Sequence, residues 1–585
     1  MKENCRFLPV TAEEIKKLGW DRPDIIIVTG DAYVDHPAFG AAVMGRLAEH
    51  LGMRVAILPQ PNWRDDLRDF LKLGQPKYFF GVTAGAMDSM VNHYTARRRL
   101  RTDDAYTPGG RHGYRPDLPS LVYTRVLKKL FPETPVVLGG VEASMRRFSH
   151  YDYWQDKVRP SVLAESGADM LMYGMGEQAF ATVIELLSRG VPFGSLHNIL
   201  QTAIIESEGK FVPPLKGHTE VVLPSHEECV SDKVKFARAF RIAEEASNSM
   251  SPGRLIQYHG NKKVVVNPPF PLPEKETADL PYDLPYTRLP HPKYNKKPPI
   301  PAWEMIRYSV NMHRGCFGGC SFCAISAHQG KFVASRSEES ILREVAGIAA
   351  MPGFSGHITD MGGPTANMYK MGGKDTAICR SCGRPSCLYP TLCKNLDYDH
   401  RPLMSIYKKA LATEGVKKIT IGSGIRHDML VGRSKEDSKK YGLEEYTNVL
   451  LKNHVPGRLK LAPEHTEAHV LKAMRKPSFE SFEMFLEKFR AYCRKHDLPW
   501  QVVPYFISGH PACREEDMVN LSKNAGSLGL RPDQVQEFTP TPMTLSTTMY
   551  YTGIDPYTGK QVFSARSDHQ KKKQKSYFFR TGKKN

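Results

Sequence analysis

The 585-residue sequence has no apolar run long enough to cross a bilayer, which excludes a membrane-spanning helix. Its opening stretch, Met1-Lys2-Glu3-Asn4-Cys5-Arg6-Phe7, lacks an apolar h-region, so no secretory leader is expected. No long internal repeat is visible, which argues against solenoids and propellers. Cysteine is sparse, with 11 residues that cluster rather than spread. That excludes a disulfide framework and points to metal sites in a reducing compartment, so a cytoplasmic protein with no membrane partner is expected. Acidic residues are in deficit, with 62 Asp and Glu against 81 Lys and Arg and a formal net charge of +19. Between Ser564 and Asn585 eight basic residues face one Asp. The run Gln570-Lys571-Lys572-Lys573-Gln574-Lys575-Ser576-Tyr577-Phe578-Phe579-Arg580 mixes cations with aromatics. It reads either as an RNA-binding segment or as a disordered, solubilising tail. A second run, Arg97-Arg98-Arg99-Leu100-Arg101, closes a helix or meets an anionic ligand.

What the chain does contain is strand–helix alternation. It is too long for one core, so two or three domains are expected. Apolar strands recur at residues 25–28, 54–58, 78–82, 136–140 and 169–174. Phe39, Val43, Leu47 and Leu51 mark one helical stripe between them. This order predicts a Rossmann-like parallel sheet covered on both faces, with ligands at the carboxyl ends of its strands. Glycine-bearing loops lie there: Thr29-Gly30-Asp31, Gly139-Gly140-Val141-Glu142 and Gly174-Met175-Gly176-Glu177. Residues 268–303 are proline-rich and predict an extended linker, or a strap across the domain that follows.

Six further strands are expected, at 308–312, 357–361, 418–422, 458–462, 501–507 and 535–539. After the first comes Arg314-Gly315-Cys316-Phe317-Gly318-Gly319-Cys320-Ser321-Phe322-Cys323. Three thiolates at CxxxCxxC spacing can hold three corners of an iron–sulfur cubane, and four cysteines are the usual complement, so one iron would stay open. A structural zinc loop is the alternative, although zinc sites usually pair one CxxC with a second pair. A second group, Cys379, Cys382, Cys387 and Cys393, has CxxCx4Cx5C spacing between the second and third of these strands. Four thiolates in so short a loop suit one zinc ion or an auxiliary Fe–S cluster. Cys5, Cys229, Cys493 and Cys513 have no partner spacing and are expected to be ordinary thiols.

With Phe322 before its last cysteine, the first loop resembles the CxxxCxΦC motif of the radical S-adenosylmethionine (radical SAM) superfamily. The resemblance implies a partial (β/α)6 barrel carrying a [4Fe-4S] cluster on Cys316, Cys320 and Cys323. It implies that the open iron chelates SAM, and that an electron from a donor such as flavodoxin or ferredoxin releases a 5′-deoxyadenosyl radical. Further contacts to SAM are expected at the following strand ends: Gly362 and Gly363 (a GGP in place of GGE), Ser423 at the ribose, Arg426 at a carboxylate, Glu464, and Arg475. The first half resembles the cobalamin-binding domain that precedes many radical SAM barrels. Its Asp35-His36 pair departs from the DxHxxG cobalt-ligand motif. The HRGCFGGCSFC loop, the cysteine-rich insertion, PTPMTLSTTMYYTGIDP and the basic tail together resemble the YgiQ family of bacterial radical SAM proteins over almost the full chain.

The expected organisation is therefore an α/β, cobalamin-binding-like domain over 1–215 and a connector over 216–302. A radical SAM core follows over 303–545, with the cysteine-rich insertion at 375–398, and then a C-terminal extension over 546–585. The expected function is reductive cleavage of SAM acting on an unidentified substrate. The alternatives are an RNA-modifying enzyme, methylthiotransferase- or methyltransferase-like, and a non-catalytic metal-binding protein.

Overall fold

The computed structural model describes residues 6–530 and 534–580. Cys5, the last five residues of the basic tail and residues 531–533 lie outside that set. Two units emerge, one comprising residues up to Ala246 with Ser251–Arg307, the other Ser247–Met250 with Tyr308 onward.

The first unit is built on a nine-stranded sheet. Its strands are β1 (Ile25–Thr29), β2 (Val55–Pro59), β3 (Phe79–Thr83), β4 (Val136–Gly139), β5 (Met170–Met172), β6 (Thr202–Glu206), β7 (Glu220–Val222), β8 (Arg254–His259) and β9 (Lys262–Val266). Their spatial order is β2-β1-β3-β4-β5-β6-β9-β8-β7. The first five are parallel in the doubly wound order 2-1-3-4-5. Every residue of β1 is buried, as a strand covered on both faces requires. Ile25 and Ile27 share one core with Ala42 and Leu47 of α1 (Gly40–His50) and with Phe180 and Ile184 of α3 (Glu177–Ser188). Tyr123 of α2 (Pro119–Leu130) packs edge-on against Phe70.

Residues 216–302 are not a separate connector. β7, β8 and β9 extend the first sheet, with β9 antiparallel to β6. The proline-rich stretch is a strap, but it lies on its own unit. Proline keeps it extended, and its free backbone groups meet the loop after β1: Asp35 N–H donates to Leu289 O and Arg288 N–H to Asp35 O. Leu284, Tyr294 and Ile300 are buried in the shared core. The Arg97–Arg101 run follows the short helix Ser89–His93 in a turn, where the Arg98 guanidinium stacks on Tyr153.

The second unit holds six parallel strands in two ladders of three. β10 (Ser309–Asn311) pairs with β11 (residues 357–362, interrupted at Thr359), and β11 pairs on its other side with β12 (Lys418–Ile419). β13 (Arg458–Glu464), β14 (Gln501–Ser508) and β15 (Gln534–Glu537) form the second ladder. This is the strand set of a partial (β/α)6 barrel, and it places six loops at the carboxyl ends of parallel strands.

The basic tail is not disordered over its described residues. It forms α8 (Asp568–Arg580), which docks through buried Lys571, Gln574 and Phe578. Phe578 stacks on Phe506 of β14 with ring centroids 6.0 Å apart. Lys573 pairs with Glu515, and Lys575 with Glu537. Lys571, Lys573 and Lys575 thus meet groups of this chain, Lys571 buried and the other two nearer the surface. No helix among the described residues is long and apolar enough to cross a membrane.

Candidate functional site

The cysteine loop leaves the carboxyl end of β10, and Cys323 caps the short helix α4 (Ala324–Gln329). Burial pushes the Cys323 thiol up to about 12, with Cys320 and Cys316 adding to the rise and the Ile325 N–H opposing it. Cys316 is likewise raised by burial, against a hydrogen bond from Thr365, whose hydroxyl lies 3.5 Å from its sulfur. The three half-buried thiols lie close enough to act on one another's charge, where ionisation calls for a compensating cation or metal. Gly319 lies in the left-handed region at φ +60°, and a Cβ there would meet Pro385 O at 2.3 Å. Only glycine allows both, which accounts for the paired glycines inside the loop.

Arg426 supplies the nearest cation. Its Nη1 lies 3.6 Å from Cys320 Sγ, and its other nitrogens form a bidentate pair with Asp428 at 2.7 Å each. Burial acts to raise Asp428, but Arg426 beside it prevails and holds the carboxyl far below the usual range. Asp428 thus occupies the guanidinium fork of Arg426, which was expected to meet a carboxylate. Its Nη1 faces the Cys320 thiol.

Glu464 ends β13 buried, in the left-handed region at φ 69°. Burial raises its carboxyl while Lys476, with Nζ 3.7 Å away, pulls it down. Its charge reaches Cys323. Lys476 also donates to Ala462 O at 2.7 Å. Arg475 sits apart from this pair: it ends α5 (Ala468–Met474) and stacks over Tyr557 at 5.1 Å. The left-handed turn at Arg475 sends the two neighbouring cations to different places, and Lys476 is the one that meets Glu464.

Gly362 and Gly363 end β11 as expected, but the chain itself makes the close approach. A Cβ at Gly362 would meet Ser423 Oγ at 2.3 Å, and one at Gly363 the His313 ring at 2.5 Å. Ser423 is held by Asp360 through its N–H at 3.2 Å and its hydroxyl at 3.1 Å. The structure therefore sets Arg426 at Cys320 and Glu464 on the Cys323 side, and fastens Ser423 to Asp360 and against Gly362.

Four contributors were missed in the sequence. Asp428 stands two residues past Arg426, a spacing that offers a signal only once the turn is known. Lys476 was passed over for its neighbour. His313 stands between the expected strand 308–312 and the cysteine loop and was given no role. Ser546 lies in PTPMTLSTT, a stretch noted without a role. It starts α7 (Leu545–Thr552), its N–H donates to Ser321 O, and its hydroxyl lies 2.8 Å from Ser321 Oγ and 2.6 Å from His510 Nε2. A buried polar relay thus braces the cysteine loop from the far end of the chain.

The second cysteine group shares one short loop. Burial pushes Cys387 up to about 11, and Cys393, Cys382 and Cys379 each add to it. Among the described residues no three His, Cys, Asp or Glu side chains converge closely enough to enclose a single ion as they stand. At either group, loading would have to draw the sulfurs in. The donor chemistry fits: three clustered thiols beside a guanidinium in one place, four clustered thiols in the other.

In the first unit the crevice between β1 and β3 is filled by the chain. Arg115, fully buried, donates to Asp31 at 2.9 Å, to Asp104 at 2.9 and 2.7 Å, and to Ala84 O. A Cβ at Gly30 would meet Ala84 O at 2.4 Å. His36 is buried, and its Nδ1 accepts from Ala38 N–H.

An α/β sheet followed by six parallel strands, with three cysteines past the first of these strands, defines a radical SAM enzyme. Residues 310–521 match the radical SAM superfamily, residues 7–309 the family described as Radical SAM N-terminal, and residues 533–582 a domain of unknown function (DUF3362). The chain belongs to the UPF0313 family, which includes YgiQ. It is 53% identical to a UPF0313 protein of Bacteroides thetaiotaomicron over 584 residues, covering 98% of this chain and 94% of that protein. It is 54% identical to one from Porphyromonas gingivalis (98% and 90% covered) and 45% identical to YgiQ of Escherichia coli K12 (97% and 83%). Among solved structures it is similar to the radical SAM methyltransferase TsrM of Kitasatospora setae with cobalamin and a [4Fe-4S] cluster bound, at a TM-score of 0.48 and 15% identity, covering 89% of this chain and 74% of that one. It is also similar to the cobalamin-dependent enzyme OxsB, at 0.47 and 12%, covering 92% and 56%.

Proposed function

We propose that Cys316, Cys320 and Cys323 hold a [4Fe-4S] cluster for the reductive cleavage of SAM, with the resulting radical acting on a substrate not yet identified. When bound, such a cluster supplies the open coordination position and the electron. The chain's own residues do the rest. Arg426 directs a charge-assisted N–H toward the Cys320 sulfur, and Asp428 fixes its direction. Ser423, held by Asp360, packs its hydroxyl against Gly362 and shapes the carboxyl end of β11. Glu464, buried and tied to Lys476, lies on the Cys323 side.

The carrying observation is the CxxxCxxC loop past the carboxyl end of β10, with Arg426 Nη1 3.6 Å from Cys320 Sγ. Anaerobic reconstitution with iron and sulfide, then dithionite and SAM, is expected to yield 5′-deoxyadenosine and methionine. C316A, C320A and C323A should each abolish that product. A loaded wild-type protein that leaves SAM intact, or any of these variants that still cleaves it, overturns the reading.

Cobalamin enters this reading as a second cofactor supported by the 2-1-3-4-5 order of the first sheet. The Arg115 network stands against a ligand in the β1/β3 crevice. Absorbance and mass spectrometry of anaerobically purified protein decide between them.

A further inference from the structure

Residues 374–395 form an element with almost no apolar core. Within it only Ser386 and Leu388 are buried, while Ile378 is 53% exposed. A segment of this size cannot order itself by apolar burial and needs a staple. It is nonetheless specifically built. Gly372–Gly373 pairs antiparallel with Leu396–Asp397 and closes its base. The short helix Thr376–Arg380 leads into a turn in which Cys382 N–H donates to Cys379 O at 3.2 Å. Cys393 N–H donates to Cys387 O at 2.8 Å. The Asn395 amide points an N–H at Cys379 Sγ, 3.4 Å away, and a Cβ at Gly373 would sit 2.2 Å from that same sulfur. All four cysteines are half-buried in a stretch whose other residues are mostly exposed. The thiols occupy the place where a core would be.

The element is also fastened to the first cysteine loop. Cys387 N–H donates to Phe317 O at 3.0 Å, and Ser386 Oγ donates to Gly318 O at 2.8 Å. Lys331 Nζ donates to Arg384 O at 2.8 Å.

We propose that Cys379, Cys382, Cys387 and Cys393 are the four ligands of a second, closed thiolate centre whose metal holds Arg384–Cys387 as a clamp on the loop of Cys316, Cys320 and Cys323. The occupant is a soft, thiophilic centre, either one zinc ion or one iron–sulfur cubane. With four protein ligands it has no open position, so its role is to hold the loop in place rather than to bind SAM. This goes beyond the reading above and stands or falls separately from it.

The test uses the full-length protein, purified anaerobically, with iron, zinc and acid-labile sulfide counted per chain. C316A/C320A/C323A leaves the second group untouched and should keep either one zinc or one cluster's iron and sulfide; the ratio of sulfide to metal identifies which. C379A/C382A should lose that metal. A metal-free triple variant, or a C379A/C382A protein with wild-type metal content, overturns the proposal. S386A keeps every thiol and removes the clamp's side-chain hydrogen bond to Gly318 O. It should release first-site iron to a chelator about five- to tenfold faster, the effect of one lost buried hydrogen bond, with the second metal unchanged. An unaltered release rate refutes the clamp. If wild type fails to cleave SAM while the triple variant still holds its metal, the first reading fails and this one survives.

Discussion

Arg426 is where one side chain serves two partners at residue scale. Its fork belongs to Asp428, and its remaining N–H faces Cys320. Removing the guanidinium alone would leave Asp428 buried and unpaired, at a cost of about 3–5 kcal/mol. The neutral pair R426Q/D428N avoids this. The pair has no net charge but turns its positive end to Cys320, which favours the reduced cluster, so the neutral double variant should titrate at a lower potential. An EPR-monitored redox titration checks it, and an unchanged potential removes Arg426 from the cluster's environment. Asp31 offers a second case. Burial pushes its carboxyl up to about 6 against the pull of Arg115, because one guanidinium serves two carboxylates and Asp104 is held below the usual range. A carboxyl raised on folding contributes stability below its unfolded value, and that contribution is lost as pH rises through the folded value. Stability of the first unit should therefore fall between about pH 4 and 6, by roughly 3 kcal/mol. D31N should flatten that slope in urea melts taken across the same range.

At the scale of elements, α8 shows how a terminal segment becomes part of a barrel. Phe578 is 4% exposed against Phe506, and Gln574 Nε2 donates to Cys513 O at 2.9 Å. F578A should cost the second unit about 3–5 kcal/mol, the usual range for a buried aromatic cut to alanine. Urea unfolding measures it, and an unmoved midpoint would show that the helix docks without contributing. This helix also shows why part of the fold escaped the sequence. Its inward face is Lys571, Gln574 and Phe578, spaced i, i+3, i+7, but two of the three are polar, so hydrophobic periodicity is silent. The β-branched runs of β1 and the CxxxCxxC loop were legible because burial on both faces and thiolate chemistry each leave a local pattern. Asp428 and Lys476 were not, because their roles follow from turns that only the folded backbone specifies. The strap was legible as extended, but not the surface it covers, since proline fixes its own φ and says nothing about its partner.

The whole molecule divides after Arg307, close to the expected start of the core at 303; that β7, β8, β9 and the strap fall in the first unit has a physical consequence. A chain stopped at 215 would keep β1 to β6 and expose the edge of β6, which β9 otherwise covers from Ala203↔Val266 to Glu206↔Lys263. It would also lose the strap, and with it Leu284, Tyr294 and Ile300 from the core and the Tyr294 hydroxyl that accepts from Tyr33 N–H. An unpaired edge beside an opened core favours association between copies over folding. Residues 1–307 expressed alone should therefore give one cooperative thermal transition, and residues 1–215 should aggregate or melt without cooperativity. Circular dichroism and size-exclusion chromatography on the two fragments provide the comparison. Matching transitions would mean that β7, β8, β9 and the strap are additions to a sheet already stable without them.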